Sequence, residues 1–358
     1  MNDTDRLTSR AISWLRFPLI MCVLIIHSNF SVVIGGWGNQ PVASWVSNTV
    51  SHFAFICNPA FFFISGYLFF RQRRFDWHIY VSKLKRRVHS LLIPYIVWNS
   101  LFLLILFIME TMTSGATAII DKPVASFSLS DFLYAYVDIS QIDGQGGIQA
   151  PVDVPLWYVR NLMGIVLFSP VIYLILKMLS MAGKTASFVV LVILLIVSDS
   201  YAFSEIVNDR LFFSIGAFIA INDIDVVSGS RRRLILLLAA AVTAYLANQS
   251  LCFYLFAILC LFRIVGSLLS RGLISVNKLL VSSSFFVFAS HELVQGVIYL
   301  LIRRGFLVFD TELSAILCYV ISPIVMSAVC VGAFVALRKL SPVMLKYLTG
   351  DRVYIKTE

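Results

Sequence analysis

The chain has 358 residues, of which 59% are hydrophobic and only 13% charged, and its mean hydropathy is +0.88. Soluble domains carry about 25% charged and about 45–50% apolar residues, so a chain this apolar cannot cover its own surface with polar groups. A soluble enzyme is excluded, and the composition specifies a polytopic membrane protein. The net charge of +9 and pI near 9.3 do not indicate nucleic acid, because the basic residues concentrate in short loops where membrane topology and anionic headgroups account for them.

Apolar stretches approaching the roughly 20 residues that cross a bilayer recur at 14–34, 53–70, 88–110, 155–179, 186–198, 210–221, 233–247, 251–268, 279–301 and 314–337. The expectation is an all-α transmembrane bundle, since only helices of this length and hydrophobicity satisfy their backbones in lipid. About ten spans are predicted, and eight is the lower count because the fifth and sixth stretches are short. The first stretch follows Arg6 and Arg10 in the manner of a signal peptide. It carries Arg16 in its first turn and no small-residue cleavage pattern, so it is read as a retained helix.

Lysine and arginine in the loops set the orientation. The loop after the second stretch, "RQRRFDWHIYVSKLKRR", holds Arg71, Arg73, Arg74, Lys83, Lys85, Arg86 and Arg87 against Asp76. The polar segment at about 111–154 holds Lys122 against Asp121, Asp131, Asp138, Asp143 and Asp153. The first is predicted cytoplasmic and the second external. With ten spans, Arg231 to Arg233, Arg271, Lys278, Arg338, Lys339, Lys346 and Arg352 join the cytoplasmic side, and both termini lie inside. Arg303 and Arg304 run against the rule, accompanied by Asp310 and Glu312.

No repeat of 20–50 residues and no low-complexity tract occurs, and residues 1–358 read as one integral-membrane domain with no appended soluble domain. Within the external segment, "QIDGQGGIQAPVDVP" at 141–155 is expected to be irregular, a connector first and a lid or acceptor-binding loop second. The six cysteines, Cys22, Cys57, Cys252, Cys260, Cys318 and Cys330, lie in or beside apolar stretches without a CxxC pair. They support neither a metal site nor a disulfide framework.

The chemistry-bearing residues of the first stretch, "ISWLRFPLIMCVLIIHSN", are Arg16 and His27. Eleven residues is close to three helical turns, so both project from one face, about 16 Å apart along the axis. Arg16, near the cytoplasmic end, has snorkelling as its plain alternative. His27 lies deeper, where an ionisable group is expensive and marks a functional path.

Arg16, ten intervening residues and His27 resemble the Arg-x10-His signature of the membrane acyltransferase 3 family, bacterial O-acyltransferases acting on cell-surface glycans. Three further segments are similar to that family's motifs. They are "NPAFFFISGYLFF" from Asn58 to Phe70, "PLWYVRNL" from Pro155 to Leu162, and "FFVFASHELVQG" from Phe285 to Gly296. Two departures stand out: Phe55 and Cys57 occupy the region where many members carry arginine, and Phe288 stands where tyrosine is expected.

The resemblance implies an O-acetyltransferase of the bacterial cytoplasmic (inner) membrane. It would move an acetyl group from cytosolic acetyl-CoA to a hydroxyl of a cell-surface or lipid-linked glycan, with no permanently bound cofactor. Its catalytic residues would be His27, as general base with near-neutral reference pKa, and Arg16; an acyl-histidine route stays open. Arg71, Arg73 and Arg74 would receive the acyl-CoA phosphates through their planar forks, with topology alone as the alternative. Arg160, Trp157, His291, Glu292 and Ser65 are the candidate substrate-cleft residues. For Trp157 the alternative is an interfacial anchor, for Ser65 close helix packing, and for His291 and Glu292 mutual satisfaction. A multi-span transporter or flippase, and a non-catalytic sensor or assembly partner, are the other function classes. Against a carrier stands the lack of matching interrupted helices in the two halves.

Overall fold

In a chain made of apolar stretches, backbone hydrogen bonds must close within each segment, and they do. The computed structural model describes residues 3–30, 40–71, 75–113, 122–143, 149–308 and 311–351, and among them every regular element is helical. In order these are α1 (Asp3–His27), α2 (Pro41–Ala54), α3 (Cys57–Phe70), α4 (Trp77–Arg87), α5 (Ile93–Thr113), α6 (Leu129–Ala135), α7 (Ser140–Asp143), α8 (Trp157–Leu167) and α9 (Ser169–Ser180). There follow α10 (Lys184–Ser200), α11 (Glu205–Ile221), α12 (Arg231–Leu246), α13 (Ser250–Ser270), α14 (Lys278–Arg303), α15 (Glu312–Leu340) and α16 (Pro342–Thr349).

Among the described residues, six helical segments are long and apolar enough to cross a membrane: α1, Pro41–Phe70, Trp77–Met112, α13, α14 and α15. A seventh is the pair α8 and α9, bent by 64°. The bend falls at Phe168, just ahead of Pro170, whose missing N–H and fixed φ suit a helix start. Three shorter helices, α10, α11 and α12, have 17, 17 and 16 residues. Each is roughly 25 Å long, a little under the roughly 30 Å hydrocarbon, and they occupy the places of the remaining three expected spans. Helices α10 and α12 also present apolar side chains outward, among them Ile193, Leu194, Leu236 and Val242.

Much of the basic segment 71–87 is helical. Asp76 Oδ1 accepts the His78 and Ile79 amides at 2.7 and 3.2 Å, the arrangement of a helix N-cap, and from Trp77 the chain is helical. Helix α4 passes through a π-helical turn, Val88–Leu92, into α5. Within the acidic segment at 111–154, the described residues 122–135 are ordered by caps and an ion pair. A capping box at Ser128 and Asp131 starts α6, and Lys122 pairs with Asp131 at 2.6 Å. The Lys122 ammonium and the Ser128 side-chain and backbone donors hold the Asp131 carboxyl down at about 2.

The chain divides into two compact units, each assembled from three sequence segments. The first comprises Met1–Lys83, Ile165–Ser284 and Phe309–Pro323, and the second Leu84–Gly164, Phe285–Val308 and Ile324–Glu358. In the first unit, α3 packs along α11 through two glycines. A Cβ on Gly66 would stand 1.9 Å from the Phe213 carbonyl oxygen, and one on Gly216 would stand 2.0 Å from that of Phe63. Only a residue without a side chain allows this approach, as small residues do in membrane helix packing. In the second unit, Phe102, Leu103, Leu106, Val124, Ala135, Ile139 and Val152 form a core that joins α5 to the acidic segment at 111–154. There Trp98 Nε1 donates to the Leu348 carbonyl at 2.9 Å.

Candidate active site

Helix α1 buries Thr8, Ala11, Ile12, Leu15, Leu19, Ile20, Val23 and Leu24. Arg16, Ile20, Val23 and His27 follow the i, i+4, i+7, i+11 rhythm of one face, so the two ionisable residues flank a buried apolar pair. Both are half-buried. Pro18, inside the helix, cannot donate to the Trp14 carbonyl one turn back, which loosens the ladder beside Arg16.

His27 closes α1, and polar groups gather around the chain as it leaves. Ser28 Oγ donates to the Leu24 carbonyl at 2.7 Å, and the Asn29 amide donates to Asn48 Oδ1 of α2 at 3.3 Å. Farther along this end of the first unit, Tyr319 of α15 donates to the Ser47 carbonyl at 3.3 Å and shares a hydrogen bond with Ser51 Oγ at 3.1 Å. The start of α2, whose Gln40 provides no side-chain cap, is capped by Glu312, which accepts from the Val42 and Ala43 amides at 3.1 and 2.7 Å. These partners are neutral hydrogen bonders, apart from the one carboxylate occupied with a helix end.

Of the expected phosphate-binding arginines, Arg71 ends α3, donates through Nη2 to the Asp5 carbonyl at 2.9 Å, and lines a recess of about 10 Å³ with Asp5, Tyr67 and Asp223. Arg73 and Arg74 lie outside the described residues. Ser65 is half-buried on α3, one position before the glycine that meets α11.

The remaining candidates belong to the second unit. Trp157 and Arg160 open α8. Arg160 donates to the Val137 carbonyl, to the Gln149 carbonyl at 3.3 Å and to Asn161 Oδ1 at 3.2 Å. It thus ties the acidic segment at 111–154 to the helix. His291 is fully buried on α14, its Nδ1 2.7 Å from the Phe288 carbonyl. The adjacent Glu292 accepts from the Val154 N–H.

A residue that the sequence reading counted only as a loop acid joins this group. Asp153 is completely buried. Its backbone N–H donates to Asn99 Oδ1 at 3.1 Å, and neither of its carboxyl oxygens has a hydrogen-bond partner among the described residues. Burial, and then the Glu292 carboxylate, push the Asp153 carboxyl well above the usual carboxylate range. Two carboxyls so placed resist ionising together. Strongly perturbed acids are a mark of functional sites as well as of structural networks. The Asn99–Asp153 bond spans 54 positions, a pairing that local pattern cannot reveal.

Comparison with known proteins supplies the reaction class. The profile of the acyltransferase 3 domain, described as "Acyltransferase domain", matches residues 9–336. The chain belongs to the acyltransferase 3 family. A curated relative, the succinoglycan biosynthesis protein ExoH of Rhizobium meliloti (strain 1021), is 23% identical over 378 residues, covering 98% of this chain and 95% of that protein. No solved structure matches.

For this membrane acyltransferase the matched region contains every sequence-predicted site residue. Arg16, His27, Ser65 and Arg71 fall in the first unit, and Trp157, Arg160, His291 and Glu292 in the second. Among the described residues no cluster of three His, Cys, Asp or Glu side chains has the arrangement of a metal site.

Proposed function

We infer that this acyltransferase moves an acyl group, with acetyl as the leading candidate, from cytosolic acyl-CoA to a hydroxyl of a cell-surface or lipid-linked glycan. The observation that carries the reading is the His27 end of α1, where an imidazole closes the helix and Asn29, two residues on, bonds to Asn48 of α2, in a chain matched to an acyltransferase family. The succinoglycan assignment of the relative supports a glycan acceptor.

In this reading His27 takes the proton from the acceptor hydroxyl as its oxygen attacks the thioester carbonyl. The tetrahedral intermediate collapses with cleavage of the C–S bond, and the imidazolium returns the proton to the leaving CoA thiolate. General base catalysis of this kind contributes about 10²–10⁴-fold. Arg16, roughly 16 Å back along the same face, is assigned to hold the donor, with Arg71, Arg73 and Arg74 as phosphate contacts. Ser65 in the first unit and, separately, Trp157, Arg160, His291 and Glu292 in the second are assigned to substrate contacts, with Asp153 beside Glu292.

The same reading takes α10, α11 and α12 as spans alongside the seven longer ones. That gives ten, with both termini cytoplasmic, in the bacterial inner membrane. The test is transfer of label from radiolabelled acetyl-CoA into the glycan fraction of membranes containing the protein. Label should enter with the wild-type chain and fall at least about 100-fold with His27→Ala at matched abundance. Full transfer by the variant removes His27 from the chemistry.

A further inference from the structure

A second basic feature in the first unit has room that the recess at Arg71 lacks. A cleft of about 560 Å³ opens between the start of α12, the end of α13 and Leu7 of α1. Three arginines, Arg231, Arg263 and Arg271, line it together with Ser230, Ser267 and Ser270, and among the described residues no Asp or Glu does so. The volume falls within the range of small-molecule sites, about 300–1,000 Å³. The recess at Arg71, at about 10 Å³, holds no more than a water, so Arg71 can meet a donor phosphate only at the protein surface and not enclose one.

The cleft is built by the backbone around it. Arg263 reaches out of α13 to the loop before α12, donating to the Ser228 carbonyl and to the Asp225 carbonyl at 3.4 Å. These bonds occupy two of five guanidinium donors and fix the plane of the group. Gly229 permits the approach: its φ is +146°, and a Cβ there would lie 1.9 Å from Arg263 Nη1. Asp225, which acts on Arg263, turns its carboxylate to the Val227 and Ser228 amides, both at 2.9 Å. Gly266 lets α13 close on the same loop, since a Cβ there would stand 2.5 Å from the Val227 carbonyl. Finally, the loop delivers the N-terminus of the 16-residue α12, capped by Ser230, whose first-turn amides and dipole favour an anion.

We propose that this cleft binds the phosphate groups of a soluble, nucleotide-sized polyanion through Arg231, Arg263 and Arg271. On the reading above, on which this identification rests, the polyanion is the nucleotide end of the acyl-CoA donor. Planar guanidinium forks match phosphate oxygens in pairs. Three arginines, with the carboxylate of Asp225 near Arg263 but bound to backbone amides, suit a ligand with several negative charges better than the single charge of a phosphodiester headgroup. Leu7 lies nine residues before Arg16 on α1, roughly 14 Å along the axis. A donor moored at the cleft is therefore anchored on the helix that carries both catalytic candidates.

The probe is adenosine 3′,5′-bisphosphate, titrated onto the full-length protein in phosphatidylcholine nanodiscs, beside adenosine and inorganic phosphate. The bisphosphate should bind, adenosine should not, and an Arg231→Gln/Arg271→Gln variant should weaken binding by at least about tenfold, the worth of a charged hydrogen bond. Both residues are exposed, and unchanged thermal melting verifies that the variant is folded. Bisphosphate binding that ignores the substitutions overturns the proposal. So does bisphosphate that fails to bind while phosphatidylglycerol, added to the nanodiscs, binds in a manner those arginines control, since the cleft is then a lipid site. The function above fails separately. Arginine-dependent binding without acyl transfer leaves the cleft standing and removes the enzyme reading. Transfer whose KM for acetyl-CoA ignores both arginines does the reverse.

Discussion

The two ends of the first unit are built from opposite chemistry. Where α1 begins, Arg71, Arg231, Arg263 and Arg271 line the recess and the cleft. Twenty residues later, roughly 30 Å along the helix, it ends in His27 with Asn29, Asn48, Ser47, Ser51 and Tyr319 nearby. Fixed positive charge suits the holding of a polyanion, because arginine does not titrate in the accessible range. Proton transfer needs a group that can take up and return a proton, the role assigned to the His27 imidazole. The contrast assigns binding to one end and bond-making to the other, and α1 joins them.

The largest expected effect comes from breaking what both ends share. Gly66→Leu or Gly216→Leu drives a side chain into backbone at separations near 2 Å, which helix packing cannot absorb without parting α3 from α11. The expected outcome is loss of a folded, monodisperse peak in detergent, with anion binding and transfer lost together. A variant that stays folded and active contradicts the close packing.

A smaller effect should separate the ends. Gly229→Ala places a side chain in the space of the Arg263 guanidinium at a φ of +146°, a strain of about 1–3 kcal/mol. Bisphosphate affinity should fall and KM for acetyl-CoA should rise, while kcat keeps its wild-type value. A fall confined to kcat would show that the cleft does not serve donor binding.

The smallest effect is at the other end. Tyr319→Phe removes the hydroxyl bonded to Ser47 and Ser51, worth about 1 kcal/mol. Thermal melting should drop by about 1–2 °C with bisphosphate affinity unchanged. If affinity falls too, the two ends are coupled and the contrast between them is too simple.

Much of this was legible in the sequence because the bilayer imposes a one-dimensional rule. The ten apolar stretches each have a helix or helical pair in the structure, and Arg16 and His27 share a face because the spacing of eleven demands it. The family motifs around them led to the same acyltransferase family that the profile identifies. What the sequence hid lies in tertiary placement and local capping. Residues 71–87 look like a loop by charge, yet Asp76 caps a helix there. Asp153 looks like one loop acid among five, and only the Asn99 contact and Glu292 show it to be buried. Arg263 and Gly229 are ordinary residues 34 positions apart until the fold lays one guanidinium on the other's backbone. Span length was legible only approximately, since α10, α11 and α12 fall just short of a full crossing.

The most direct test of the central claim is the steady-state rate of acetyl transfer by purified protein in liposomes, for wild type and His27→Ala with matched melting temperatures and bisphosphate affinities. The account predicts that kcat falls by at least about 100-fold while the cleft binds as before. A variant that keeps its kcat would contradict it, and would move the chemistry away from the end of α1.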